Sequence, residues 1–153
     1  MSRRHRSVEG AEVHAFDERD YPEPELTGKI IGCGIQVHRE LGAGYVEKIY
    51  ERSLKHELGK QGLRCDSQRT VKVYYDGVEV GEHDADLVVE DKVVLELKTV
   101  EVILDKHVSQ LISTMKALRI PLGLQMNFNE AKLVDGIRRV VLSGWRQGGG
   151  QDA

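Results

Sequence analysis

The sequence predicts an α/β domain in which helices flank a mixed β-sheet. Three observations lead there. Apolar residues recur at helical spacing through the first third of the body. The period then switches to two around an Asp76-Gly77 turn, and it returns to helical spacing before two further apolar runs. The expected order is helices, a three-strand meander, a helix, and more strands.

Each element has its own signal. In the first helix Ile30, Gly34, Val37 and Leu41 share a face, Thr27 is the expected N-cap, and Gly42 and Gly44 stop the helix. Val46, Tyr50, Leu54 and Leu58 form the stripe of a second helix that Gly62 ends. Val71, Val73 and Tyr75 alternate with Lys72 and Tyr74, so a strand follows. Asp76-Gly77 favours a type I′ hairpin into a strand over Val78–Val89, with an irregularity near Gly81. A polar turn leads to a third strand, Val93–Lys98. Val108, Leu111, Ile112, Met115 and Leu118 mark an amphipathic helix with Asp105 as its expected N-cap, and the runs 122–126 and 137–142 read as strands.

A chain of 153 residues holds one core. Residues 1–24, which end in Pro22-Glu23-Pro24, are expected to be a flexible N-terminal arm, 25–143 the domain, and 144–153, with Gly148 to Gly150, a flexible tail. The net charge of -3 excludes a polycation that coats nucleic acid through many phosphate contacts. Cys33 and Cys65 are too few for a cysteine zinc site and read as reduced, buried side chains. No signal-type apolar run opens the chain, and no stretch approaches the ~18 apolar residues of a membrane span. A cytoplasmic protein is expected.

The chemistry concentrates in His83-Asp84-Ala85-Asp86 and Val93-Val94-Leu95-Glu96-Leu97-Lys98. On a strand, Glu96 and Lys98 share a face with Val94, while Val93, Leu95 and Leu97 point the other way. A two-residue turn at Glu90-Asp91 would set Asp86 opposite Leu95, away from Glu96. A three-residue turn pairs Val89 with Val93, Leu87 with Leu95 and Ala85 with Leu97 on the apolar face, and it sets Asp86 beside Glu96 and Asp84 beside Lys98. The second register matches apolar with apolar and is favoured. Two carboxylates on adjacent strands suit a hard cation such as Mg²⁺ or Mn²⁺, and Lys98 can position water. The plain alternative is a surface hairpin with solvated ion pairs worth about 0–1 kcal/mol each.

Gly44-Tyr45-Val46-Glu47-Lys48-Ile49-Tyr50 matches Gly-x-x-Glu-x-x-Tyr. With Leu26 to Ile31, Val37 to Gly42, Asp86, Glu96-Leu97-Lys98, Gln110 and Leu122 to Phe128, the chain from about 25 to 142 resembles the GxxExxY protein family. That family is similar to the PD-(D/E)XK nuclease superfamily. The resemblance implies a PD-(D/E)XK nuclease-like core, with Asp86 and Glu96 as metal ligands, Lys98 as catalytic lysine and the Leu97 carbonyl in the metal shell. It also implies Glu47 as a further metal or water ligand and Gln110 as a residue arranging the site. Thr114 stands where a Gln-x-x-x-Tyr motif has tyrosine, which is a departure. Read without the resemblance, Glu47 and Glu51 are solvated charges on one helix face, Gln110 is a surface glutamine, and Tyr50 is core. His38 and His107 are left out of the metal shell, and Arg138 and Arg139 face opposite ways on a strand.

The expectation is a metal-dependent phosphodiesterase of the deoxyribonuclease type, with Mg²⁺ or Mn²⁺ as cofactor and nucleic acid, DNA first, as partner. A homodimer is compatible with it. The rival is an inactive nuclease fold serving as a nucleic-acid-binding or protein-interaction module, and a third reading is hydrolysis of another phosphoester.

Overall fold

In the computed structural model, residues 5–15 and 22–144 are described. The elements are β1 (His5–Val8), β2 (Ala11–Ala15), α1 (Pro24–Leu41), α2 (Glu47–Lys60), β3 (Cys65–Tyr75), β4 (Val78–Val89), β5 (Val93–Lys98), α3 (Asp105–Leu118), β6 (Leu122–Asn127) and β7 (Ile137–Leu142). The seven strands form one mixed sheet in the order β1-β2-β7-β6-β5-β4-β3. β5 and β6 run parallel, with α3 as the crossover between them, and the other neighbours are antiparallel.

The sheet is covered on both faces, which explains why β5 and β6 read as continuous apolar runs. Ile30, Val37, Tyr50, Leu54 and Leu58 of α1 and α2 pack on Leu87, Val89, Val93, Leu95 and Leu97. Val108, Leu111, Ile112 and Met115 of α3 pack on the other face, against Ala85, Val88, Val94 and Val140. Tyr50 is core as expected: its ring stacks on Phe128 at 4.4 Å, and its hydroxyl donates to the Gly42 carbonyl at 2.5 Å. Among the described residues, no helix is long and apolar enough to cross a membrane. Both cysteines are free; Cys33 is buried and Cys65 half-buried.

Three expectations change. Residues 5–15, read as part of a loose arm, form the β1–β2 hairpin, and β2 adds to the sheet beside β7. Ala11 and Val13 fix it there, because their alternate side chains are buried beneath α3. The remainder of the expected arm (1–4 and 16–21) and the tail from 145 lie outside the described residues. α1 starts at Pro24, whose missing N–H is harmless in a first turn. Thr27 therefore sits inside the helix, and its hydroxyl donates to the Glu23 carbonyl at 3.0 Å. Leu104, not Asp105, precedes α3, and its N–H donates to His107 Nδ1 at 2.9 Å.

One buried side chain ties the end of β5 to the sheet. Asn127 on β6 lies opposite Lys98, accepts the Val100 N–H at 3.1 Å and donates to the Val100 carbonyl at 2.7 Å. It also accepts the Asn129 N–H at 3.2 Å. Asn127→Ala strands these groups, so it is expected to destabilise the fold by about 2–4 kcal/mol. Urea unfolding of the two proteins measures this, and a loss under about 0.5 kcal/mol would contradict the anchoring role.

Candidate active site

The β4–β5 connection has the longer of the two turns. Val89 pairs with Val93, Val88 with Val94 and Leu87 with Leu95. Glu90 and Asp91 take left-handed conformations, at φ 55° and 54°, and the Lys92 N–H closes onto the Val89 carbonyl at 2.9 Å. The register that matches apolar to apolar is formed for these pairs, but the expected Ala85–Leu97 pair is not: Ala85 packs under α3, and Asp84 accepts from the Thr70 hydroxyl at 2.9 Å.

This ladder ends at the Leu87–Leu95 pair. On the other side of β4, the β3–β4 ladder skips its pair at Gln68, which is left-handed with φ 54°. The residue bracketed by both interruptions is Asp86. Alternation also slips there, since Ala85 and Val88 pack under α3 while Leu87 and Val89 face α1 and α2. Asp86 Oδ2 accepts the Leu97 N–H at 2.8 Å, standing in for a backbone acceptor. The carboxylate thus sits between the parting strands, bonded to the backbone that follows Glu96.

Glu96 and Lys98 follow Val94 on the α3 side. Glu96 is only 5% exposed, and its Oε1 has no hydrogen-bond partner among the described residues. Its neighbour in register on β6 is Gln125, which is fully buried and has its own Oε1 without a partner. Two buried acceptors in register, both short of a donor, call for a proton, a water or a cation. Lys98 Nζ donates to Gln110 Oε1 on α3 at 3.0 Å. Burial pushes the Glu96 carboxyl up to about 7, with Asp86 adding to the rise and Lys98 opposing it. Burial also raises Asp86; the Leu97 N–H and Lys98 oppose that rise, and Glu51 and Glu47 reinforce it. Asp86, Glu96 and Lys98 therefore sense one another, and Gln110 joins them through the lysine.

A sequence profile of the PD-(D/E)XK nuclease superfamily matches residues 24–140. The chain belongs to the PD-(D/E)XK nuclease superfamily. No curated protein and no solved structure matches it. The matched span opens at the first residue of α1 and closes within β7, so it takes in Asp86, Glu96, Lys98 and Gln110.

Other residues stand further from the superfamily pattern expected of this chain. Glu47 is exposed at the first residue of α2, and its charge reaches Asp86 without the side chain joining a ligand cluster. Among the described residues no three His, Cys, Asp or Glu side chains gather closely enough to hold a metal. What is present is a pair of carboxylates with the adjoining Leu97 backbone. One turn on, Glu51 is only 6% exposed and is held by Gln68 Nε2 at 2.8 Å and Lys48 Nζ at 3.4 Å. The reading of Glu51 as a solvated charge is thereby corrected. Its one sequence signal is its place next to Tyr50 on the buried stripe. Thr114 is buried, and its hydroxyl donates to the Gln110 carbonyl at 3.1 Å. His38 packs beside Phe128, and Arg138 donates to the Asp135 and Ile137 carbonyls while Arg139 is buried.

The raised carboxyl of Glu96 makes stability depend on pH. Its folded value of about 7 lies above the ordinary 4.5, so the folded chain binds the proton more tightly. Stability from this group is complete below pH ~4.5 and is lost as pH rises toward 7. Without divalent cations, Glu96→Gln is expected to be more stable than the parent at pH 8, by on the order of 3 kcal/mol, with the gap closing by pH ~4.5. Thermal melting across that range checks it; a variant less stable at pH 8 would show that the buried charge is already compensated.

Proposed function

We propose that this chain is a metal-dependent phosphodiesterase acting on nucleic acid, DNA first, in the cytoplasm, and that it belongs to the GxxExxY branch of the superfamily. The branch assignment rests on Gly44-Tyr45-Val46-Glu47-Lys48-Ile49-Tyr50. The activity rests on one arrangement: the Asp86 carboxylate bonded to the Leu97 N–H, next to the buried Glu96 carboxyl with an oxygen lacking a donor, and Lys98 held by Gln110.

The residues present fit a divalent ion. Glu96 offers a buried oxygen without a donor, and a cation reverses the penalty that burial and mutual repulsion place on both carboxylates. Asp86, Glu96 and the Leu97 carbonyl are the groups that would hold Mg²⁺ or Mn²⁺. When bound there, the ion supplies polarisation of the phosphate and a lower pKa for water. Lys98 keeps its ammonium at the edge of the site because Gln110 Oε1 accepts from it. It can orient the attacking water and offset negative charge that grows on the phosphate. Gln110 acts through Lys98 and is a positioning residue. Glu47, at the start of α2, would take a water-mediated share of the charge on the site, which its electrostatic influence on Asp86 supports.

The experiment is cleavage of single- and double-stranded DNA with Mg²⁺ or Mn²⁺. Asp86→Asn and Glu96→Gln are each expected to reduce turnover by about 100-fold or more while keeping the fold. Equal cleavage by the parent and both variants would end the proposal. Binding can be read separately. Mn²⁺ is expected to raise the melting temperature of the parent and not of either variant. The rise should also be larger at pH 8 than at pH 5.5, because the ion competes with the protons that burial favours on Glu96 and Asp86.

A further inference from the structure

A cleft of about 250 Å³ lies between α3 and the β3–β4 hairpin, on the same side of the sheet as Glu96 and Lys98. It is small beside the roughly 300–1,000 Å³ clefts that take drug-sized ligands. Val71, Val73 and His83 wall it from the sheet, and Gln110, Ser113, Thr114 and Ala117 wall it from the helix. Gln110 belongs to both places, since its Oε1 also receives the Lys98 ammonium at 3.0 Å. Gln110 therefore borders both the cleft and the candidate active site.

Two features give the cleft a chemical preference. Nε2 of His83 is buried and has no hydrogen-bond partner among the described residues. A polar atom so placed waits for a ligand or a water. The apolar wall also runs outward along the hairpin. The β3–β4 register shifts after Val73, and beyond the shift Tyr75 pairs with Val78. Both are exposed, at 75% and 61%. A slot with apolar Val71, Val73 and Ala117, polar His83, Gln110, Ser113 and Thr114, and a lysine bonded to Gln110 suits a planar heterocycle carried on a phosphate chain.

We infer that this cleft receives an unpaired nucleobase of the substrate strand, next to the phosphate that Lys98 attends. The inference rests on the phosphodiesterase reading and adds the substrate class, which is single-stranded or locally unpaired nucleic acid. Val71, Val73 and Ala117 cover the faces of the base, and His83 meets its polar edge. A base still stacked in a duplex has to be extruded before it can enter, so a strand already unpaired is preferred. Tyr75 offers a surface on which the neighbouring base stacks.

The test uses the full chain with a chelator present, so that binding is read apart from cutting. The probe is a short single-stranded DNA carrying 5-iodouracil. Ultraviolet cross-linking and peptide mapping are expected to mark the peptides that hold Val71, His83 or Ser113. Ala117→Phe fills the slot and is expected to weaken binding of the same probe by about 10-fold. His83→Ala, which removes bulk rather than adding it, gives a second reading should Ala117→Phe melt early. Cross-links found only outside the cleft, or affinities that both variants leave within about twofold, overturn the inference. Binding through the cleft by a chain that cuts no nucleic acid with Mn²⁺ overturns the phosphodiesterase reading and leaves the cleft standing. Metal-dependent cutting without cleft cross-links removes the cleft alone.

Discussion

The hydrogen bond from the Leu97 N–H to the Asp86 carboxylate sets the geometry on which the candidate site depends. A β-ladder continued past Leu87–Leu95 would satisfy that N–H with a backbone carbonyl and close the gap between β4 and β5. A side chain takes the bond instead, so the strands part without leaving a buried donor unpaired. The peptide unit joining Glu96 to Leu97 is planar. Holding its N–H therefore also holds the backbone from which the Glu96 side chain leaves. One carboxylate positions the other, and the interruption of the β3–β4 ladder at Gln68 gives Asp86 the freedom to do so. Gln68 has a second part in this, because its left-handed backbone accompanies the bond its side chain makes to Glu51.

The two ends of the β4–β5 hairpin handle negative charge in opposite ways. At the turn, Asp91 meets Arg69 at 2.7 Å, and Arg69 also binds Asp66; the arginine holds the Asp91 carboxyl below its ordinary range. At the parted end, Glu96 is buried and Asp86 half-buried, and Lys98 only partly offsets what burial does to them. The paired end is exposed, where ion pairs add little, whereas the poorly compensated end is buried, where charge is expensive. A fold selected for stability alone would place its arginine at the other end. The cost at Asp86 and Glu96 is one that added positive charge relieves, and on the proposed reading this is what the pair is for.

What could be read from the sequence follows the physics of each signal. The three-residue β4–β5 turn was legible because a one-residue slip would have moved Leu87 and Val89 off the core face. Lys98 and Gln110 were legible together only through the family resemblance, since a lysine and a glutamine twelve residues apart carry no spacing signal. The exchange between Glu47 and Glu51 was not legible. Both are on α2, one turn apart, and it is the left-handed Gln68 from a different element that draws Glu51 into a buried bond. β1 and β2 were missed because, among their residues whose side chains are described, Ala11 and Val13 are the buried ones, with Val8 partly buried, too few for a period to emerge. The start of α1 was missed because Pro24 itself begins the helix, with no side-chain cap to announce it.

A net charge of -3 constrains how such a chain can meet a polyanion. Affinity spread over many lysines and arginines is not open to it, so recognition has to be local. On the proposed reading, three local elements share that work: the cation between Asp86 and Glu96, the Lys98 ammonium, and the apolar slot beside Gln110. They lie on the α3 side of the sheet or at the strand parting beside it, and α3 links them. Its residue Gln110 bonds Lys98 and lines the slot, while Thr114, one turn later, ties its hydroxyl to the Gln110 carbonyl. A tyrosine at position 114 would bring a ring to the wall where Thr114 leaves open space. On the same proposed reading, the departure from the Gln-x-x-x-Tyr pattern has a physical meaning. It would keep the glutamine that positions the lysine and leave room beside it for a flat group of the substrate.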